Sequence, residues 1–115
     1  MTLHEIKTGR VVLDQVCVAT AMAQRLRGLL GRRALADGEG MFFPECRMIH
    51  TWFMQMRIDV VFLDEDGCVL DLAPNLAPWR MAFCRQPGGR NTLELAAGGA
   101  ARLGIKIGAG LKLNE

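Results

Sequence analysis

The chain has 115 residues, half of them hydrophobic and 23% charged, with a formal net charge of +2. That composition excludes a disordered segment, and no apolar run approaches the roughly 20 residues a membrane span requires. So small a net charge also argues against a nucleic-acid binder driven by bulk electrostatics, and no specific nucleic-acid partner is expected.

The length fits one domain over residues 1–115, built around one core, with a radius of gyration of roughly 13 Å. Met1-Thr2-Leu3-His4-Glu5 lacks the basic head and apolar stretch of a signal peptide, which points to the cytoplasm. The four cysteines (Cys17, Cys46, Cys68, Cys84) are widely spaced and form no Cys-x-x-Cys pair. No structural zinc site is expected from them, and they read as reduced thiols, mostly buried as small hydrophobes. Eleven of the fourteen basic residues are arginine, which suits carboxylate or phosphate recognition but can equally reflect the base composition of the coding DNA.

In chain order, Thr2–Lys7 alternates polar and apolar residues and Val11–Ala19 is rich in β-branched ones. With Thr8-Gly9-Arg10 between them, the opening reads as a β-hairpin. Met22, Leu26, Leu29 and Leu30 then fall at i, i+4, i+7 and i+8, the stripe of an amphipathic helix, with Thr20 as N-cap and Gly31 as its stop. Ala36–Gly40 reads as a loop and Met41–Phe43 as a short strand closed by Pro44. Arg47–Met54 and Ile58–Asp64 are strand candidates, the second almost continuously apolar and so central. Glu65-Asp66-Gly67 turns the chain into a strand over Cys68–Leu72. Asp64–Gly67 also has a faint calcium-loop pattern, but it lacks the later glutamate and suits a hairpin turn better.

Prolines at 74, 78 and 87 make Ala73–Arg90 irregular apart from a strand near Met81–Cys84. Thr92–Leu95 is a further strand, Ala96–Leu103 a short helix stopped by Gly104, and Ile105–Ile107 and Leu111–Leu113 are apolar runs near the C-terminus. The sum is an α+β fold: a small β-rich, barrel-like or clip-like domain with seven or eight short strands, one main helix and one short helix.

The densest group of unusual residues lies between Gly40 and Asp64 and includes Cys46, Arg47, Ile49-His50-Thr51-Trp52-Phe53-Met54 and Ile58-Asp59. Together with Arg27-Gly28-Leu29-Leu30-Gly31-Arg32 before it and Leu93-Glu94-Leu95-Ala96-Ala97-Gly98 after it, this pattern resembles the domain-of-unknown-function 192 (uncharacterised ACR) family. The resemblance spans nearly the whole chain in three ordered blocks. Many members carry a Phe-Trp-Met-Lys-Asn-Thr type of motif where this chain has Thr51-Trp52-Phe53-Met54-Gln55-Met56, and the chain more closely resembles the branch bearing Ile-His-Thr, so a role of that lysine or asparagine is not carried over. The resemblance implies a compact β-rich fold and no established activity.

The chemistry of these residues suggests three candidate sites. Cys46 and His50 could pair as nucleophile and base, but on a strand positions four apart stand about 13 Å from each other, and no third orienting residue is evident. His50, Asp59 and Glu94 could converge on a metal, since imidazole plus carboxylates suits zinc or iron. Asp59 reads more simply as structural, a core carboxylate held by Arg57, Arg80 or backbone N–H groups. The third candidate is an anion or small-ligand pocket bearing Arg27, Arg47, His50, Thr51, Trp52 and Arg80, with Trp52, Phe53 and Trp79 as walls unless those tryptophans fill core.

No catalytic set is complete and no cofactor is expected. The leading expectation is therefore a non-enzymatic binding module for a small anionic ligand or a protein partner. The alternative is an enzyme or metal-binding protein using His50, Asp59 and Cys46 or Glu94. A third reading is an assembly protein acting through an exposed apolar face.

Overall fold

The computed structural model describes residues 1–19 and 32–115, and among these it contains ten strands and one short helix. The strands are β1 (Thr2–Glu5), β2 (Val11–Leu13), β3 (Gln15–Val18), β4 (Glu39–Phe43), β5 (Met48–His50), β6 (Ile58–Leu63), β7 (Val69–Leu76), β8 (Met81–Phe83), β9 (Asn91–Ala96) and β10 (Leu111–Asn114); helix α1 is Gly99–Arg102. They form a five-stranded sheet in the order β3-β4-β9-β6-β7, a three-stranded sheet β10-β1-β2, and a separate two-stranded ribbon β5-β8. The fold is β-rich α+β, and it is not a closed barrel.

The apolar run of β6 is paired on both sides, by β7 and β9, and all six of its residues are buried. Because side chains alternate along a strand, it feeds two cores. Val61 and Leu63 join Leu93, Leu95, Leu3, Leu13 and Val16 on the face covered by the three-stranded sheet and α1. Ile58, Val60 and Phe62 face the other way and pack with Ile49, Met54, Met56 and Cys84 beneath the ribbon.

Several expected boundaries shift, each for a physical reason. The β-branched run after Thr8-Gly9-Arg10 breaks at Asp14 into β2 and β3, which lie in different sheets. The strand expected over Arg47–Met54 stops at His50, because Phe53 takes a left-handed φ of 66° and the chain turns. Prolines did not keep Ala73–Leu76 irregular: β7 runs through Pro74, whose missing N–H this edge strand tolerates because Pro74 falls at a register shift with no partner in β6. The last helix is a single turn starting at Gly99, since Ala96 still belongs to β9. Only Cys84 is a buried thiol; Cys17 is exposed, and Cys46 and Cys68 are half-buried. The Asp64–Gly67 segment is a hairpin turn whose Asp64 carboxylate accepts the N–H groups of Asp66 and Cys68. The helix expected over Met22–Leu30, its caps Thr20 and Gly31, and Arg27 lie outside the described residues. No helix among the described residues is long and apolar enough to cross a membrane.

Candidate functional site: the β5–β8 ribbon

The Ile49-His50-Thr51 block lies at the end of β5, which pairs antiparallel with β8 in the register Met48↔Phe83, Ile49↔Ala82, His50↔Met81. Alternation turns Ile49 and Ala82 towards the core beneath and leaves Met48, His50, Met81 and Phe83 exposed on the outer face. The loops beyond the ribbon carry three more exposed rings, Trp52, Phe53 and Trp79. His50 stacks on Trp52 at 4.7 Å between ring centroids, and Phe53 meets Trp79 at 4.7 Å with tilted planes. The tryptophans are thus not core filling: Trp79 is 56% exposed and Trp52 42%. Large apolar side chains grouped this closely on a surface mark an interaction site more often than isolated ones do.

Thr51 holds this surface from below. Fully buried, its hydroxyl donates to the Ala77 carbonyl at 2.6 Å and accepts the Arg80 N–H at 2.9 Å. Its backbone carbonyl accepts from both Met54 and Trp79. One residue therefore ties together the two loops that carry the aromatic rings. Phe53 and Trp79 sit at left-handed φ values of 66° and 64°, conformations costing an L side chain roughly 1–2 kcal/mol each. The Thr51 bonds help offset that strain.

Arg47 and Arg80 stand at opposite ends of the ribbon. Arg80 is opposite Thr51 and Arg47 opposite Cys84, about 13 Å apart along the strands. Both are exposed and neither forms an ion pair among the described residues. Arg57, also exposed, donates to the Asn75 carbonyl. Arg85, by contrast, is engaged by the buried Asp71 carboxylate at 2.7 Å, a pairing that holds Asp71 well below the usual carboxylate range.

The other expected constellations do not assemble. The Cys46 thiol donates to the Met48 carbonyl, while His50 Nδ1 accepts the Trp52 N–H, so each is engaged locally and nothing joins them. Asp59 is 1% exposed and accepts three backbone N–H groups, from Asn75, Gly98 and Ala100, at 2.8–2.9 Å. Neither Arg57 nor Arg80 reaches it. Glu94 pairs across from Val60 and Met41, while Asp59 pairs across from Leu95, so the two carboxylates face opposite sides of the sheet. Among the described residues no group of three or more His, Cys, Asp or Glu could hold a metal ion. Glu94 is 5% exposed and no hydrogen bond reaches its carboxyl among the described residues; burial pushes it up to about 8.

Sequence reasoning passed over Met48, Met81 and Phe83. The signal was present in the alternation Met48-Ile49-His50 and Met81-Ala82-Phe83, but nothing in the residues alone says which face is outward. It also missed a cleft of about 220 Å³ lined by Leu3, Phe42, Leu63 and Leu111 with Glu65, Asp66 and Lys112, which contains none of the expected site residues.

A family model described as domain of unknown function 192, Uncharacterized ACR, matches residues 4–113. The chain is 31% identical over 112 residues to a "UPF0127 protein" of Thermococcus sibiricus, covering 94% of this chain and 71% of that protein. Among solved structures it is similar to a protein of unknown function from Novosphingobium aromaticivorans, with TM-score 0.80, 28% identity, and 97% and 82% of the two chains covered. It is similar also to a protein titled a putative transcription regulator from Sinorhizobium meliloti, with TM-score 0.80, 31% identity, and 96% and 89% covered.

Proposed function

The chain belongs to the domain-of-unknown-function 192 (Uncharacterized ACR) family, and we propose that it is a single-domain, non-enzymatic binding module that docks a protein partner on the outer face of the β5–β8 ribbon. The observation that carries this reading is the grouping of Met48, Trp52, Phe53, Trp79, Met81 and Phe83 on one exposed face, held by the buried Thr51. A surface that large and apolar, left open, favours association. The separation of Arg47 and Arg80 argues for an extended ligand over one small anion bridging both. The word regulator belongs to the Sinorhizobium protein; here the exposed Arg47 and Arg80 border an apolar face, an arrangement suited to a protein surface and not to a phosphate backbone. The proposed setting is cytoplasmic.

Site-specific photo-crosslinking in cells expressing the chain tests the proposal. A photoreactive residue at Phe83 or Trp79 should trap a discrete partner band. The same residue at Ile107, similarly exposed at 63% but in the segment between α1 and β10, should trap none. Equal or absent crosslinking at the two places rejects the docking face.

A second reading, an enzyme, draws on Glu94 alone, a buried acid that retains its proton at neutral pH. It lacks a nucleophile or base beside that acid among the described residues.

A further inference from the structure

Resting on the docking reading above, we propose that the partner binds as an extended segment that adds a strand to the free edge of β8, with a carboxylate at each of its ends. The hydrogen-bonding parity of the ribbon identifies the edge. Thr51 N–H donates to the Arg80 carbonyl and Cys84 N–H to the Arg47 carbonyl, so the 51/80 and 47/84 pairs are bonded, and alternation makes 49/82 the next bonded pair. Met81 and Phe83 therefore direct their N–H and C=O groups away from β5, and no hydrogen bond to another described residue takes them up. An open edge of this kind is a template for a further strand.

The opposite edge of the ribbon is less available. The Met48 carbonyl already accepts the Cys46 thiol, and the His50 ring is stacked on Trp52 and bonded to its N–H. On β8, the exposed Met81 and Phe83 side chains flank the edge and offer apolar contact to alternate residues of an added strand.

Charge selects the ends of that strand. Arg80 precedes β8 directly. At the far end Arg47 lies against Cys84 and Gly89: a Cβ built on Gly89 would be 2.9 Å from the Cys84 sulfur and 3.3 Å from Arg47 Nε. A cation without an ion-pair partner among the described residues thus stands at each end of the open edge, and a segment with Asp or Glu at both ends complements them. The same charges disfavour a second copy of this chain, because antiparallel pairing of two β8 edges would bring arginines together.

The test selects ten-residue peptides from a displayed random library against the full chain. Peptides with alternating β-branched or aromatic residues and acidic ends are expected. On the best peptide, N-methylation of the residues whose N–H faces β8 should weaken binding by about tenfold or more, one lost main-chain hydrogen bond's worth or greater. Methylation of the alternate residues should leave affinity within about twofold. Binding should also move the Met81 and Phe83 amide resonances, and Arg47→Gln and Arg80→Gln should each weaken it. If both methylation series bind equally while Phe83→Ser still abolishes binding, strand addition is wrong and the docking face stands. If Phe83→Ser has no effect, or no peptide is recovered while the chain pellets with phosphatidylserine vesicles, the docking reading fails as well. Self-association abolished by Phe83→Ser would replace the acidic partner by a second copy.

Discussion

Asp59 and Glu94 occupy neighbouring strands one register step apart, yet they face opposite sides of the sheet and are treated in opposite ways. Asp59 is opposite Leu95 and Glu94 opposite Val60. The first receives three backbone N–H groups; the second receives no hydrogen bond among the described residues and lies between Met41 and Val60. Three donors satisfy the buried oxygens of Asp59, whereas burial beside apolar neighbours pushes Glu94 towards the neutral acid.

The Glu94 carboxyl should therefore make the fold less stable in base. Its ordinary value of 4.5 rises to about 8 on folding, so between those limits the folded chain binds more protons than the unfolded one. The contribution is fully present below 4.5 and is lost as pH rises through about 8. Urea midpoints should fall for the wild type from pH 5 to pH 9, and Glu94→Gln should flatten that slope and be the more stable protein at pH 9. A wild-type midpoint that does not fall over this range rules the assignment out.

For Asp59 the prediction concerns backbone groups. Asp59→Ala leaves the N–H groups of Asn75, Gly98 and Ala100 without their acceptor and should cost about 3 kcal/mol or more. Asp59→Asn, which sets an amide NH₂ against one of those donors, should also destabilise. Hydrogen exchange at Asn75, Gly98 and Ala100 gives the direct readout. Unchanged protection at all three amides in Asp59→Ala would show that the bonds do not anchor the turn into α1.

These two carboxylates also indicate how far residue patterns carry. Ile58–Leu63 was legible as an interior strand because only a strand buried on both faces is apolar at nearly every position. The buried character of Glu94 was not: Leu93-Glu94-Leu95 alternates like a strand with one wet face, and it is the pairing with Met41 and Val60 across the sheet that places Glu94 among apolar neighbours. The Ile49-His50-Thr51 block was visible as unusual, but its pairing with Met81–Phe83 joins positions more than 30 residues apart, beyond the reach of local periodicity. Trp79 was read as core or pocket wall because tryptophan is usually largely buried; its left-handed φ and the Thr51 tether turn it outward.

Thr51→Val retains the shape of a fully buried side chain and removes its hydroxyl. The Ala77 carbonyl loses its donor and the Arg80 N–H its acceptor, for an expected cost of about 1–3 kcal/mol. Thr51→Ser, which keeps the hydroxyl and loses one methyl, should cost about 1 kcal/mol. The two variants separate bonding from packing. In Thr51→Val the loops bearing Trp52 and Trp79 should loosen, with faster acrylamide quenching of tryptophan fluorescence in the folded protein. Equal losses in Val and Ser would assign the role of Thr51 to packing.

The pairing of Asp71 with Arg85 sets the acid limit. Arg85 donates twice from its side chain and once from its backbone N–H to the Asp71 carboxylate, and the Leu72 N–H adds a fourth bond. The carboxyl is consequently depressed from its ordinary value of 3.8, and the smaller case of Glu39, held by Arg32, drops to about 2. For a depressed carboxyl the sign is opposite to that of Glu94: the unfolded chain takes up the proton first, so the stabilisation is present above about pH 4 and is lost as pH falls below it. Asp71→Asn should cost about 1–3 kcal/mol at pH 7 through loss of charge-assisted bonds and should lessen the wild type's further loss between pH 4 and pH 2. Because Asp71 lies on β7 and Arg85 just beyond β8, the same variant should loosen the C-terminal end of the ribbon. Faster hydrogen exchange at the Arg85 amide, with β6 unchanged, would identify the ion pair as the clasp between ribbon and sheet; an acid limb as steep as the wild type's would remove it from that role.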